Sequence, residues 1–390
     1  MSTSRNYSSI PFIDFSLAKV PERHPEFISQ LQNALINVGF FYLVNAPIDG
    51  RLVDDLKSYV PKLFALPQEE KDKIRMANSP HFLGYSKLGA ELTKGMTDYR
   101  EQFDIAASHV SRWKPGDPDY YNLWGPPQFP DEHLIPGFKK TLETYLAQMS
   151  SLSKEFIALI AEALGLPRDG LSRFFDSDDR MQNLSKIVKY PVANERWHSN
   201  QGVGPHYDGG FLTILLQASE HPGLQVQNLA GEWIDVPPTD GTFVINFGRA
   251  LEFATQGIIR ATSHRVLSPP LGSTSPRYSV PFFTAISLDA RLCDPEYALE
   301  FPEEVLRIRD ARGQLVDLDG KVLISHDSAT APQTLTLFSS AVNFSEFTSE
   351  PSGKVTLINR VKSHPDVAER HYPHLFKKYF PDGLPEHWQS

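Results

Sequence analysis

The stretch GPHYDGGFLTILLQ, residues 204–217, sets a histidine and an aspartate two residues apart and then runs into unbroken apolar sequence. In an extended strand, residues i and i+2 point to the same side, so His206 and Asp208 can converge on one point in space. Taken alone, an H-x-D triplet is more simply a satisfied core histidine; a metal site needs a third ligand. His264, in IRATSHRVLSPP, stands in a later β-rich run that can return beside the first. Two neutral imidazoles and one carboxylate on one triangular face suit ferrous iron that keeps positions open for exogenous ligands. Open positions point to catalysis more than to a structural metal.

The sequence around this stretch points to a β-rich fold. After about residue 180 come SKIVKYP, LTILLQ, LQVQN, EWIDVPP, TFVINFG, HRVLSPP and RYSVPFF, short runs separated by Gly, Pro and Asn. Such spacing predicts an antiparallel sandwich or barrel, here a jelly-roll over residues 181–300. Residues 1–125 read as mixed α/β. IPFIDF is a strand, residues 25–38 are a helix with Phe27, Leu31, Leu35 and Val38 on one face, FFYLV at 40–44 is a buried strand, and a second helix runs through Leu52, Leu56, Tyr59, Leu63 and Phe64 to Pro67. Within 126–180, the apolar stripe from Phe138 to Leu164, stopped by Gly165 and Pro167, predicts a long helix packed on a sheet as a spine. Residues 301–390 form a C-terminal extension whose segment 308–354, rich in Ser, Thr, Gly and Asp, reads as an irregular insertion or lid. The whole is expected to be one integrated catalytic unit, mainly β with flanking α. The charged run PQEEKDKIR at 67–75 reads as a solvated helix face, and Trp124 as packing a surface turn.

Composition narrows the function. The net charge of −9 disfavours a polyanionic partner, so no nucleic acid is expected. No apolar run approaches the roughly 18 residues that span a bilayer, so no membrane partner is expected. A single cysteine, Cys293, cannot form an internal disulfide, and with no signal-like N-terminus this suggests a cytoplasmic protein.

A second pair completes the constellation. Arg277 and Ser279 in RYSVPFF again stand at i and i+2 on a predicted strand, and a planar guanidinium beside a hydroxyl is a carboxylate-binding device. The order H-x-D, distant His, R-x-S is far more specific than any part of it. With it, the chain resembles the iron(II) and 2-oxoglutarate-dependent oxygenases of the isopenicillin N synthase-like branch. The resemblance extends to IPFIDF, NVGFFYLVNAPID, FALPQEEK, GYSKLGAELTKGMTDYREQFDI, GLQVQ, EWIDVPP, INFG, SHRV and SHPDVAERHYPHLF. It implies a double-stranded β-helix, matching the jelly-roll. It also implies that His206, Asp208 and His264 ligate Fe(II), and that Arg277 and Ser279 hold the far carboxylate of 2-oxoglutarate with help from Tyr190. O2 would be the oxidant and a small organic molecule the substrate, hydroxylated, desaturated or cyclised with release of succinate and CO2. By the same resemblance, Leu215, Phe283 and the loop from Leu83 to Leu92 would line the substrate pocket. The chain departs from the family pattern at Lys189, where a tyrosine is common, at Gly248–Ala250, where Gly-Asp is common, and in a longer turn between His264 and Arg277, read as a hairpin insertion. Two other readings stay open: an oxidase of the same fold that uses no 2-oxoglutarate and grips its substrate's own carboxylate with Arg277 and Ser279, and a binding module that has lost turnover. The sequence leaves oligomeric state and substrate identity open.

Overall fold

The computed structural model describes residues 7–93, 96–194, 201–311 and 349–384, and the backbone of 315–316 and 322–324. Its centre is two facing sheets. Strands β1 (Phe12–Asp14), β2 (Phe40–Val44), β3 (Gly84–Ser86), β6 (Glu101–Ala106), β7 (Leu184–Tyr190), β9 (Leu212–Gln217), β12 (Thr242–Phe247) and β14 (Arg277–Thr284) build the larger one, in the order β1-β2-β12-β9-β14-β7-β6-β3. The smaller sheet runs β11-β10-β13-β8, from β8 (Gln201–His206), β10 (Leu224–Gln227), β11 (Trp233–Asp235) and β13 (His264–Leu267). A minor hairpin, β4 (Leu92–Thr93) with β5 (Met96–Thr97), stands apart, as does the pair β15 (Leu315–Val316) and β16 (Val322–Ile324).

Period-2 alternation explains why the large sheet needs cover on both faces. Along β9, Leu212, Ile214 and Leu216 join one apolar cluster with the helices, while Leu215 turns inward to a second cluster holding Val188, Tyr190, Val203, Val226 and Val266. The outer cover is α1 (His24–Asn37), α2 (Gly50–Phe64) and above all α4 (Phe138–Ala163). The stripe on α4 buries Leu142, Tyr145, Met149, Leu152, Phe156 and Ile160, each worth about 1.5–3 kcal/mol when removed from water. Helix α4 ends as the sequence requires. Gly165 takes φ +73°, its N–H bonds to Glu162 O, and the Leu166 N–H bonds to Ala161 O, so the last carbonyls are capped by a left-handed residue that tolerates no Cβ cheaply.

Several expectations are corrected. The run 67–75 contains α3 (Gln68–Lys73), but it is not wholly solvated: Lys71 is buried, with its Nζ over the Tyr85 ring and 3.4 Å from Glu101 Oε2. Trp124 is not at the surface either. It is 2% exposed in a cluster with the C-terminal helices, and its Nε1 donates to Arg180 O at 2.8 Å. The longer link from β13 to β14 is no hairpin, because β13 lies in the small sheet and β14 in the large one, so residues 268–276 cross between sheets. Of the expected lid, residues 308–311 end α6 (Glu303–Ala311) and 352–354 open α7 (Ser352–Ser363). Apart from the backbone of the β15–β16 pair and residues 349–351, the rest lies outside the described residues. Helix α5 (Arg249–Ala254) follows β12, and α8 (Pro365–His371) and α9 (Pro373–Tyr379) close the chain. No helix among the described residues is long and apolar enough to cross a membrane.

Candidate active site

His206 and His264 face each other because β8 and β13 pair antiparallel with these two residues directly in register. Their ring centroids are 4.2 Å apart. Asp208 reaches the same point differently from the strand expectation: β8 ends at His206, and Asp208 sits in the loop that carries the chain across to β9 in the other sheet. Its Oδ1 lies 3.9 Å from His206 Nε2 and 3.7 Å from His264 Nε2, and the three ligand atoms all fall within 4.8 Å of one another.

The surroundings fix which atoms are offered. His206 Nδ1 lies 2.8 Å from Gly204 O and His264 Nδ1 3.1 Å from Thr262 O. A proton on Nδ1 satisfies each carbonyl and leaves the Nε2 lone pair free, the usual arrangement for a metal-ligating imidazole. Burial, with the neighbouring His264, pushes the His206 pKa down to about 3, which keeps its imidazole neutral. Burial works to raise the Asp208 pKa, but the two histidines and two hydrogen bonds outweigh it and the net shift is downward. Those bonds come from Thr213 Oγ1 at 2.5 Å and Asn246 Nδ2 at 2.7 Å, both to Oδ2, so Oδ1 is the oxygen left for a metal. Thr213 and Asn246 escaped the sequence reading, although both lie in motifs it quoted.

Backbone hydrogen bonds also hold the loop carrying Asp208, beside the two side-chain bonds to its Oδ2 and the Arg249 guanidinium, which lies 4.2 Å from the Tyr207 ring. Gly248 N–H donates to Phe211 O, Arg249 N–H to Asp208 O and Ala250 N–H to Gly209 O. These three bonds use backbone N–H groups, so the side chains at 249 and 250 can depart from the family pattern while the bonds stay. Gly248 cannot: a Cβ there would stand 2.1 Å from Gly210 O and 2.9 Å from Asp208 O.

On the large sheet, Arg277 is 1% exposed, and no carboxylate pairs with it among the described residues. Its Nη2 donates to Gln217 Oε1 at 2.9 Å, its guanidinium lies 5.1 Å from the Tyr190 ring, and its Nε is buried with no partner. Tyr190 stands opposite Arg277 in the β7–β14 register, and Ser279, also buried, is two residues along the same strand. A buried guanidinium without a counter-ion is costly, so this site fits a ligand carboxylate. Lys189, where the family commonly has a tyrosine, points the other way by alternation and is 2.6 Å from Glu101 Oε1.

A cavity of about 500 Å³ opens beside His206. Phe283 lines it and so does Leu92, whereas Leu215 and Leu83 do not. Its walls include Glu91, within the loop 83–92, and residues the sequence reading did not single out: Gln182, Leu184 and Lys186 from β7 and the residues just before it, and Thr356, Asn359, Arg360 and Ser363 from α7. Gln182, Leu184 and Lys186 share the inward face of Tyr190, a signal available in the alternation. Behind the wall, Glu91 bonds Lys186 at 2.9 Å and Arg100 at 2.7 Å, and Arg360 bonds Asp104 at 2.9 Å. Burial acts to raise the Glu91 pKa, yet Arg100 and Lys186 outweigh it and hold the carboxyl well below the usual range.

Two imidazoles with free Nε2 atoms, a carboxylate and a buried guanidinium with no acidic partner among the described residues thus lie in one jelly-roll. Residues 181–286 match the model of the 2OG-Fe(II) oxygenase superfamily, and residues 10–132 that of the non-haem dioxygenase in morphine synthesis N-terminal region. The 2-oxoglutarate-dependent dioxygenase frbJ of Dothideomycetidae sp. is 42% identical over 379 residues, 95% of this chain and 94% of its own. The chain belongs to the 2-oxoglutarate and iron(II)-dependent oxygenase superfamily. A second such oxygenase, the 2-oxoglutarate-dependent dioxygenase of Gibberella zeae, is 34% identical over 95% of this chain and 93% of its own. Among solved structures, a full-length Neurospora crassa protein in complex with alpha-KG and thymine aligns with a TM-score of 0.63 at 25% identity, covering 80% of this chain and 100% of that one. The double-stranded β-helix expected of such oxygenases is the core described above. The chain is an Fe(II)- and 2-oxoglutarate-dependent dioxygenase acting on a small organic molecule.

Proposed function

We propose that His206, Asp208 and His264 hold the iron, and that Arg277, assisted by Ser279 and Tyr190, grips the far carboxylate of 2-oxoglutarate. The observation that carries this reading is the meeting of three ligand atoms within 4.8 Å at the edge of a cavity. The buried Arg277, without an acidic partner among the described residues, supports the co-substrate half. Iron with 2-oxoglutarate bound supplies the oxidising power, coupling decarboxylation to succinate and CO2 with oxidation of a substrate C–H bond by O2. The chain's own part is geometric. Thr213 and Asn246 aim Asp208, the carbonyls of Gly204 and Thr262 set the imidazoles, and the cavity walls place a C–H bond beside His206 while excluding water. Relatives that span more than nine-tenths of this chain are named 2-oxoglutarate-dependent, which favours the co-substrate over the oxidase alternative for Arg277.

The test is anaerobic addition of Fe(II) and then 2-oxoglutarate to the purified protein, followed by visible absorption. A weak charge-transfer band that is lost in Arg277→Ala supports the assignment. Iron binding without the band, or a band unchanged in the variant, moves the carboxylate role elsewhere.

A further inference from the structure

The charges along one wall of the cavity do not balance. Glu91, Asp98 and Asp104 close on Lys186, Arg100 and Arg360: Glu91 pairs with Lys186 at 2.9 Å and with Arg100 at 2.7 Å, Arg100 also with Asp98 at 3.0 Å, and Asp104 with Arg360 at 2.9 Å and Lys186 at 3.6 Å. Burial lifts the Asp98 pKa to about 6, which leaves it mostly ionised at neutral pH, and its protonation would only widen the excess of positive charge. Lys362 lines the cavity as a further cation, with no ion pair among the described residues. Its ammonium lies 4.9 Å from the Tyr379 ring, a contact that holds the charge without neutralising it. His81, also in the lining, adds no charge, because burial lowers its pKa. The C-terminal end of α7 offsets at most about half of one cation.

Arg360 supplies a second observation. Its Nη1 donates to Asp104, whereas Nε and Nη2 make no hydrogen bond among the described residues, and neither is a buried atom. The guanidinium thus keeps accessible donors, and it lines the cavity two residues before Lys362 in the last turn of α7. Open donors and an unmatched positive charge come from one end of one helix. Leu184, Phe283 and Ile286 line the same cavity. A molecule with an apolar body and an anionic end matches both parts, since a carboxylate takes the guanidinium's N–H groups and answers the ammonium's charge. A neutral substrate would displace water from these donors and leave the charge unmet.

We infer that Arg360 and Lys362 form an anion subsite on the α7 wall of the cavity, and that the substrate is an acid whose carboxylate docks there while its apolar body lies against Phe283. This rests on the proposed function only in taking the cavity beside His206 as the substrate's.

The test uses the full chain loaded anaerobically with Fe(II) and saturating 2-oxoglutarate, so that the Arg277 site is filled, and two matched pairs of probes: hexanoate with hexanamide, and 3-phenylpropanoate with 3-phenylpropanamide. Saturation-transfer NMR measures the affinities. The wild type should bind the acid of at least one pair about five- to tenfold more tightly than its amide, between the worth of an exposed ion pair and that of a charged hydrogen bond. Lys362→Gln should bring that preference below about twofold, and Lys362→Arg, which restores the cation, should keep it. Arg360→Lys, which leaves Asp104 a cation but removes the planar fork, should weaken it. Equal binding of acid and amide in both pairs, absence of binding included, would overturn the inference. So would a preference unchanged in Lys362→Gln or in Arg360→Lys, one lost in Lys362→Arg, or loss of the charge-transfer band on adding the acid, which would place the acid in the 2-oxoglutarate site. Formation of the band reads the co-substrate assignment separately: if it never forms, a Lys362-dependent preference for the acid leaves this inference standing, and a normal band without that preference removes it alone.

Discussion

Asn246 offers the sharpest test of how the proposed iron ligands are held. It donates to Asp208 Oδ2 at 2.7 Å while Thr213 donates at 2.5 Å, so Asn246→Leu, close in volume, removes one of two donors and leaves Oδ1 untouched. A hydrogen bond to a charged acceptor is worth about 1.5–3 kcal/mol, and loss of a ligand's supporting partner usually costs about 10–100-fold in metal affinity. Because Thr213 still restrains the carboxylate, the lower part of that range, about 10–30-fold, is expected. The assay is anaerobic competition for Fe(II) against a chelator of known affinity, with the melting temperature of metal-free protein as a control for packing. Thr213→Val should act alike, and the double variant should lose more than the two single losses together, because Oδ2 is then buried without either donor. An iron affinity within twofold of wild type in the double variant would show that Asp208 is positioned by its loop alone.

Four further outcomes follow from the geometry. Gly248→Ala pushes a methyl against the carbonyls of Gly210 and Asp208 and should weaken iron binding at least tenfold, read by the same competition, with far-UV circular dichroism unchanged. Arg277→Met should abolish stabilisation by 2-oxoglutarate in a thermal melt, yet leave the ligand-free protein as stable or more so, because it removes a buried charge with no acidic partner among the described residues. Phe156→Ala, under the sheet between Phe15 and Phe41, should cost about 3–5 kcal/mol in urea unfolding. His24 has its pKa raised by the Ala18 carbonyl and by Glu162 at 2.6 Å. Its stabilising effect is therefore full below the unfolded value of about 6.5 and fades as pH rises through the folded one, so the gap in melting temperature between wild type and His24→Ala should be wider at pH 6 than at pH 9.

What the sequence made legible was whatever local periodicity encodes. FFYLV became β2 residue for residue, LTILLQ became β9, and the stripe from Phe138 became α4 within one residue of its expected end. The proposed metal ligands could be read because two of them share one short motif, and the structure brings the three side chains together. What stayed hidden depends on partners distant in the chain. Lys71 is buried because Glu101 and Tyr85 arrive over it, Trp124 because the C-terminal helices do, and neither change leaves a mark on the local pattern. Arg360 entered the cavity wall only because α7, distant in the chain, lines it. The Asp208 geometry was half legible: the i, i+2 rule brought it to the right point, but through a loop spanning two sheets rather than along a strand.

The share of α7 in the cavity has an evolutionary consequence. The proposed iron ligands stand on β8, β13 and the loop after His206, whereas Thr356, Asn359, Arg360 and Ser363 come from a helix that begins 88 residues after His264. On that reading, a graft or drift of this tail can retune which molecule is accepted while the proposed iron ligands are inherited intact. In a lineage of such enzymes, new chemistry on new compounds would be recorded first at the end of the chain.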